Sequence, residues 1–195
     1  MKPRILAFTA LLTLASSAHA QQAITDPLSD FLRRSYTALS KDLVAVVATM
    51  PEQDFGFRPA GAGKEVRTFG EIVSHLVLVN AFVCAMGSGK PDSNISAASA
   101  SAADKPRLVT LLDETNARCT EYLATLTDTM LPQTITSGPA SRQLQSTRGT
   151  SAMFAIAHSN EHYGNLVTYL RANGLVPPAA PAQASFLSPV APPKP

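Results

Sequence analysis

Apolar residues recur at intervals of three and four in four stretches of the chain, the spacing that buries one face of a helix. The first stretch follows an N-cap at Asp26 and ends at Pro51, and the second opens with a Thr68–Glu71 capping box. The third starts near Asp104, and the fourth covers residues 147–174. We see no convincing strand, so the pattern predicts an all-α four-helix bundle. The predicted buried positions of the first two helices are Leu28, Phe31, Leu32, Leu39, Leu43, Val46, Val47, Met50, Phe69, Ile72, Leu76, Val79, Phe82 and Val83.

Both ends of the chain differ from the central helical region. Residues 1–20 combine a basic start, an apolar run from Ile5 to Ala15 and an Ala18-His19-Ala20 site typical of signal-peptide cleavage. The run is too short for a stable membrane span, so we expect export, to the periplasm or out of the cell. Residues 21–178 then form the bundle, and the Pro- and Ala-rich residues 179–195 form a disordered tail.

The charge of the expected mature chain excludes some classes of partner. Without the signal peptide, 14 Lys and Arg balance 14 Asp and Glu, and no basic run or aromatic platform offers a nucleic-acid surface. No later stretch is a candidate membrane span, so we expect no stable membrane anchor. The expected partner is a small-molecule substrate whose identity the sequence does not give, and a homodimer is left open.

The two cysteines, Cys84 and Cys119, carry information about helix direction. In an oxidising compartment we expect them to form a disulfide, with two separate buried thiols as the alternative. Cys84 lies 16 residues past the start of its helix, and Cys119 lies 15 past the start of its own. The sulfurs come level only if these helices run parallel, because an antiparallel pair would separate them by roughly 20 Å. Residues 87–103 are long enough for the crossover that a parallel pair needs.

The histidines of the expected mature chain are His75, His158 and His162. His158 and His162 lie four residues apart on one face of the fourth helix, and His75 lies near the middle of the second. Three neutral imidazoles suit a catalytic zinc site with an open fourth position, although nickel and iron also accept imidazole. These residues are the predicted metal ligands, and the alternative is that all three merely pack. The expected surroundings on the fourth helix are the face Phe154, Ala157, Glu161, Asn165 and Tyr169 and the buried stripe Met153, Ile156, Leu166 and Leu170.

The segment from His158 to His162 also fits the H-x-x-E-H pattern of inverted zinc peptidases. That pattern requires a further acidic ligand downstream, and Glu161 is the last acidic residue of the chain, so the peptidase assignment fails. Glu161 is instead the candidate catalytic residue, acting as a base beside the metal or orienting a ligand, with an ordinary helix carboxylate as the alternative. Asn165 and Tyr163 are further candidates for contacts behind the ligands.

Two segments, EVRTFGEIVSHLVLVNAFVCAMG and the downstream AHSNEHYGNLVTYLRANGLVPP, resemble the DinB-like (DNA-damage-inducible) superfamily of metal-binding four-helix bundles. The resemblance covers about residues 27–178. It implies an up-down-down-up bundle with long crossover connections and a metal held by His75, His158 and His162. It also implies one of two chemistries, since some relatives are thiol-dependent S-transferases or isomerases and others resemble metal-dependent hydrolases.

These observations leave three classes of function open. In the first, the protein is an exported metal-dependent enzyme; its location favours hydrolysis, and its resemblance favours thiol transfer. In the second, the metal only stabilises a non-catalytic binding module. In the third, the histidines bind no metal, and the domain binds a partner through its tail. An open metal position favours the first class, and a position closed by a protein side chain favours the second.

Overall fold

The computed structural model describes residues 24–90, 104–137, 141 and 143–178. The predicted signal peptide, most of the predicted crossover between the second and third helices, and the predicted tail lie outside these residues. All four predicted helices lie within them, so the structure tests the bundle and leaves the two end segments as predictions.

Four α-helices dominate the described residues: α1 (Pro27–Thr49), α2 (Phe69–Ser88), α3 (Lys105–Ala124) and α4 (Arg148–Ala172). Thr68 and Glu71 form the predicted capping box at the start of α2, each side chain accepting from the backbone N–H of the other residue. Asp104 caps α3 and Thr147 caps α4, because each side chain accepts from the backbone N–H three residues further on. The starts of α2, α3 and α4 therefore follow signals that are local in the sequence.

The helices run up-down-down-up, as the contacts between their ends show. The Cys84–Cys119 disulfide, with Cα atoms 5.2 Å apart, joins α2 and α3 as parallel neighbours. Lys105 at the start of α3 donates to two carbonyls at the end of α1, so these helices are antiparallel. Asn173 after α4 donates to Asp54 just after α1, so this pair is parallel. The predicted bundle and the predicted parallel pair, α2 and α3, are confirmed. The candidate site lies in the seam between α2 and α4.

Most of the predicted core positions are buried, but four are exposed. Leu28 and Phe31 at the start of α1 are 61% and 47% exposed, Phe82 on α2 is 45% exposed, and Met153 on α4 is 55% exposed. Helical spacing identifies residues that share one side of a helix. Each of these four residues lies where no other described element covers its helix. The prediction that they are buried is therefore wrong. The largest fully buried side chains include Tyr36, Leu43, Met50, Phe69, Leu76 and Leu166.

The start of α1 also differs from the prediction. Asp26 occupies the N-cap position with a φ of 54°, but its side chain accepts no hydrogen bond from α1. Its carboxylate instead accepts from the Asp128 N–H at 2.8 Å, and the Asp128 carboxylate accepts from the N–H groups of Leu28 and Ser29 at 3.2 and 2.8 Å. The cap of α1 therefore comes from a turn after α3, about 100 positions away in the chain.

A short antiparallel hairpin corrects the prediction that the chain has no strand. Strands β1 (Thr134–Ser137) and β2 (Leu144–Thr147) pair along their whole length, and β2 leads directly into α4. The side chain of Ile135 is buried and anchors β1 to the bundle. Strands of four residues are too short to show a clear alternation, which is why the sequence pattern did not indicate them.

Helix α2 is the most apolar of the four. By length and composition it could cross a membrane, with a mean hydropathy of 1.7, and half of that apolar stretch is buried inside the bundle. A core helix of a folded domain meets the same criterion, because a helix covered by neighbours on two sides needs few polar residues. The burial of α2 against α3 and α4 accounts for its composition.

Candidate metal centre

Three imidazole rings converge in the seam between α2 and α4. The Nε2 atom of His158 lies 3.1 Å from that of His75 and 3.1 Å from that of His162. One ligating nitrogen from each ring lies within 4.8 Å of the others. His162 is buried, and His75 and His158 are partly exposed. The structure thus brings the three predicted residues to one point, and their role as metal ligands stays a prediction.

Two buried hydrogen bonds hold α2 and α4 antiparallel at this level. Asn80 Nδ2 donates to Ser159 Oγ at 2.9 Å, and Ser151 Oγ donates to the Val83 carbonyl at 2.6 Å. Sliding one helix along the other would leave these buried polar groups unpaired, which is costly. The same register places His75 opposite the histidine pair of α4.

The two distances from His158 Nε2 to the other ring nitrogens fit a divalent ion. Two nitrogens bound at about 2.0–2.1 Å lie about 3.3 Å apart around a tetrahedral ion and about 2.9 Å apart at right angles around an octahedral one. The observed 3.1 Å lies between these values. A hydrogen bond between two ring nitrogens needs a proton on one of them, whereas an ion accepts all three lone pairs at once. Three imidazoles suit zinc, nickel or iron as the ion.

All three imidazoles are neutral near pH 7, which is the form that binds a metal. Burial lowers the pKa of His75 and His162 below the ordinary value of 6.5 and lowers the pKa of His158 to about 4. Neighbouring rings lower the pKa values of His75 and His158 further, and the positive charge of Arg67 lowers all three. The negative charge of Glu161 acts in the opposite direction on each ring.

Side chains on α4 surround two of the rings. Asn165 Nδ2 lies 3.3 Å from His162 Nδ1, and rotation of this amide would let its oxygen accept from Nδ1–H when Nε2 binds a metal. Among the described residues, His158 Nδ1 is buried without a hydrogen-bond partner. The Phe154 ring stacks on the His158 ring, with centroids 5.5 Å apart and planes inclined by 16°. One amide and one aromatic contact therefore orient the two rings.

Glu161 lies beside the three rings without joining them. Its side chain is exposed, and the hydrogen bonds of the described residues include none between it and an imidazole. The negative charge of Glu161 acts to raise the pKa values of all three histidines, so this carboxylate lies within electrostatic range of the site. Tyr163, the other predicted contact, packs instead against the core, where burial and the nearby Asp42 of α1 raise its pKa.

An open groove of about 660 Å³ runs beside His75. The loop before α2 and the first turns of α2 form most of its walls, with Arg58, Arg67 and Glu71 among the charged residues. Arg58 pairs with Glu71 at 3.1 Å. A second cavity of about 310 Å³ lies beside the disulfide, and no histidine lines it. Of these two, the larger groove is therefore the one that reaches the candidate centre, through His75.

Arg67 and Leu78 are among the residues lining this groove that sequence reasoning missed. Arg67 directly precedes the capping-box residue Thr68, and Leu78 lies three residues after His75. The spacing of Leu78 from His75 indicates a shared face of α2 and could have identified it. No comparable local signal marks Arg67, because a loop residue reaches the site only through tertiary packing.

The sequence matches the family model of the DinB superfamily over residues 35–166, which is more than half of the chain. The chain belongs to the DinB superfamily. The matched region contains all three converging histidines, and the four-helix architecture agrees with the membership. No curated protein gives a significant match to this DinB superfamily chain.

Proposed function

We propose that this DinB superfamily protein is an exported, divalent-metal-dependent enzyme whose metal ligands are His75, His158 and His162. The observation that supports it best is the convergence of three neutral Nε2 atoms beside an open groove. A structural metal site is normally closed by four protein ligands, whereas a catalytic site keeps one position open. Among the described residues, three ligating side chains meet at this point.

Zinc is the ion that this ligand set suits best, with nickel or iron as alternatives. When bound, such an ion supplies Lewis acidity, which polarises a substrate and lowers the pKa of a water or thiol ligand. The chain itself contributes the three ligands, the Asn165 amide that orients His162, and Glu161. We assign Glu161 the role of accepting a proton at its carboxylate from the attacking group.

Hydrolysis is the reaction class that we favour, and thiol S-transfer is the second candidate. The cysteine pair at disulfide distance and the signal-peptide pattern both support export to an oxidising compartment. Reduced small thiols are maintained in the cytosol, so water is the more available nucleophile after export. Thiol transfer is supported by the resemblance of the two histidine-containing segments to thiol-using relatives.

Metal analysis of the purified protein tests the proposed centre. We expect about one divalent ion per chain in the wild-type protein, and loss of that ion in His75→Gln, His158→Gln and His162→Gln. Glu161→Gln is the matched control, because it removes a charge beside the site without removing a ligand. Wild-type protein that holds no stoichiometric ion, as purified or after reconstitution, would refute the proposal.

A substrate screen then separates the reaction classes. We expect metal-dependent turnover of an ester, amide or phosphoester that falls roughly 10²- to 10⁴-fold in Glu161→Gln. Turnover only with an added low-molecular-weight thiol would favour S-transfer. A stoichiometric ion that raises thermal stability without any turnover would favour the non-catalytic, metal-stabilised binding module.

A further inference from the structure

Three large apolar side chains are exposed on one side of the candidate metal centre. Leu78 and Phe82 are 38% and 45% exposed, and Phe154 is 47% exposed. Leu78 and Phe82 lie three and seven residues after His75, so they share its side of α2. Phe154 lies four residues before His158 and stacks on its ring. Because α2 and α4 are antiparallel, all three apolar residues lie toward the same end of the seam.

The opposite end of the seam is cationic. Arg67 directly precedes α2, and the Tyr169 hydroxyl donates to its carbonyl at 2.8 Å, which attaches Arg67 to α4 beyond His162. Arg58 forms an ion pair with Glu71, whereas the described residues include no ion-pair partner for Arg67. The charge of Arg67 also acts on all three imidazoles, so it lies within electrostatic range of the centre.

We propose that the centre takes a small carboxylate with an apolar chain or ring, held at Arg67 by its carboxylate and on Leu78, Phe82 and Phe154 by its apolar part. The proposal rests on the proposed function, because the reacting bond would lie over the three imidazoles between these two ends. A guanidinium matches a planar carboxylate with two parallel hydrogen bonds. Phe82 lies about 10 Å along α2 from His75, so an apolar part of about six to eight carbon atoms would cover this end.

Calorimetric titration of the metal-loaded protein with hexanoate, octanoate, decanoate and dodecanoate tests this substrate class. Arg67 lies eight positions before His75, about 12 Å along the helix direction, so only the longer acids reach from its guanidinium past the imidazoles to Leu78. We expect the affinity to rise roughly two- to fourfold per added methylene up to dodecanoate, because each of these methylenes leaves water for the apolar end of the seam. Dodecylamine has a chain of the same length with the opposite charge, and we expect no detectable binding.

Variants separate the two ends of the seam. Phe82→Ala and Phe154→Ala should reduce the gain per methylene, since they remove the surface on which the chain lies. Arg67→Gln should lower the affinity for every carboxylate about two- to fivefold and leave that gain unchanged. Met153→Ala is the matched control, because Met153 is an exposed apolar residue of α4 one position from Phe154 and on a different side of the helix. It should behave like the wild-type protein, and circular dichroism and metal content confirm that each variant is folded.

Equal affinity for all four carboxylates, or an unchanged gain per methylene in Phe154→Ala, would overturn this inference while leaving the metal centre intact. Binding of dodecylamine as tight as that of dodecanoate would also overturn it. A protein that takes up no metal would instead overturn the proposed function. Titration of the metal-free protein with the same acids distinguishes failure of this inference from failure of the proposed function. In the metal-free protein the affinity should still rise with chain length, with weaker overall binding.

Discussion

Lowering the pH from about 7.5 to about 4 should destabilise the metal-free protein through the three converging histidines. Burial lowers the pKa of His158 from 6.5 to about 4 and lowers those of His75 and His162 as well. Between these pH values the unfolded chain binds protons that the folded protein excludes, so the free energy of unfolding rises with pH. The contribution is fully present above about pH 6.5 and is lost as the pH falls toward 4.

The size of the effect follows from His158. A fall in pKa from 6.5 to about 4 sets an upper limit of about 3.4 kcal/mol at 25 °C. The ring is partly exposed, so screening by solvent reduces the expected contribution to about 1–2 kcal/mol. Urea unfolding with a chelator present, repeated across this pH range, measures it. His158→Gln has no titrating group at this position, so its free energy of unfolding should depend on pH less strongly by that amount.

Parallel pH dependences in the wild-type protein and His158→Gln would refute this reasoning. Such a result would mean that the ring is hydrated well enough to titrate near its ordinary value. Zinc provides a second check, because it binds only neutral imidazoles. It should raise the unfolding midpoint of the wild-type protein near pH 7.5 and have little effect near pH 4.

Three further predictions concern the stability of the bundle. Removing the disulfide with Cys84→Ala and Cys119→Ala should lower the free energy of unfolding by about 3–4 kcal/mol, since the link spans 35 positions; an unchanged urea midpoint would contradict this. Gly87→Ala should destabilise by about 1–3 kcal/mol, because a Cβ there would overlap the Tyr122 ring. Gly164→Ala, where a Cβ meets nothing within 4 Å, should stabilise by about 0.5–1 kcal/mol. A raised melting temperature in Gly87→Ala would contradict the first of these predictions, and a lowered one in Gly164→Ala would contradict the second.

Tertiary packing explains where the predictions from sequence were wrong. Leu28 and Phe31 have the spacing of core residues, yet on the same turn of α1 it is Ser29 and Leu32 that face the other helices and are buried. Asp26 has the residue type of an N-cap, but Asp128 supplies the hydrogen bonds instead. Periodicity and residue type indicate which side chains could be buried or could cap a helix. The placement of the neighbouring elements decides which of them are buried and which of them cap.

The sequence by itself determined the four helices, most of their caps and the shared face of His158 and His162, because these depend on residues within one or two turns of each other. The positions of the two cysteines also predicted that α2 and α3 run parallel, because a disulfide joins only residues whose Cα atoms lie close together. Only the tertiary structure decided that His75 lies 3.1 Å from His158 and that Arg67 lies at one end of the seam. Such contacts depend on how far one helix slides past another, and buried hydrogen bonds between distant residues set that distance.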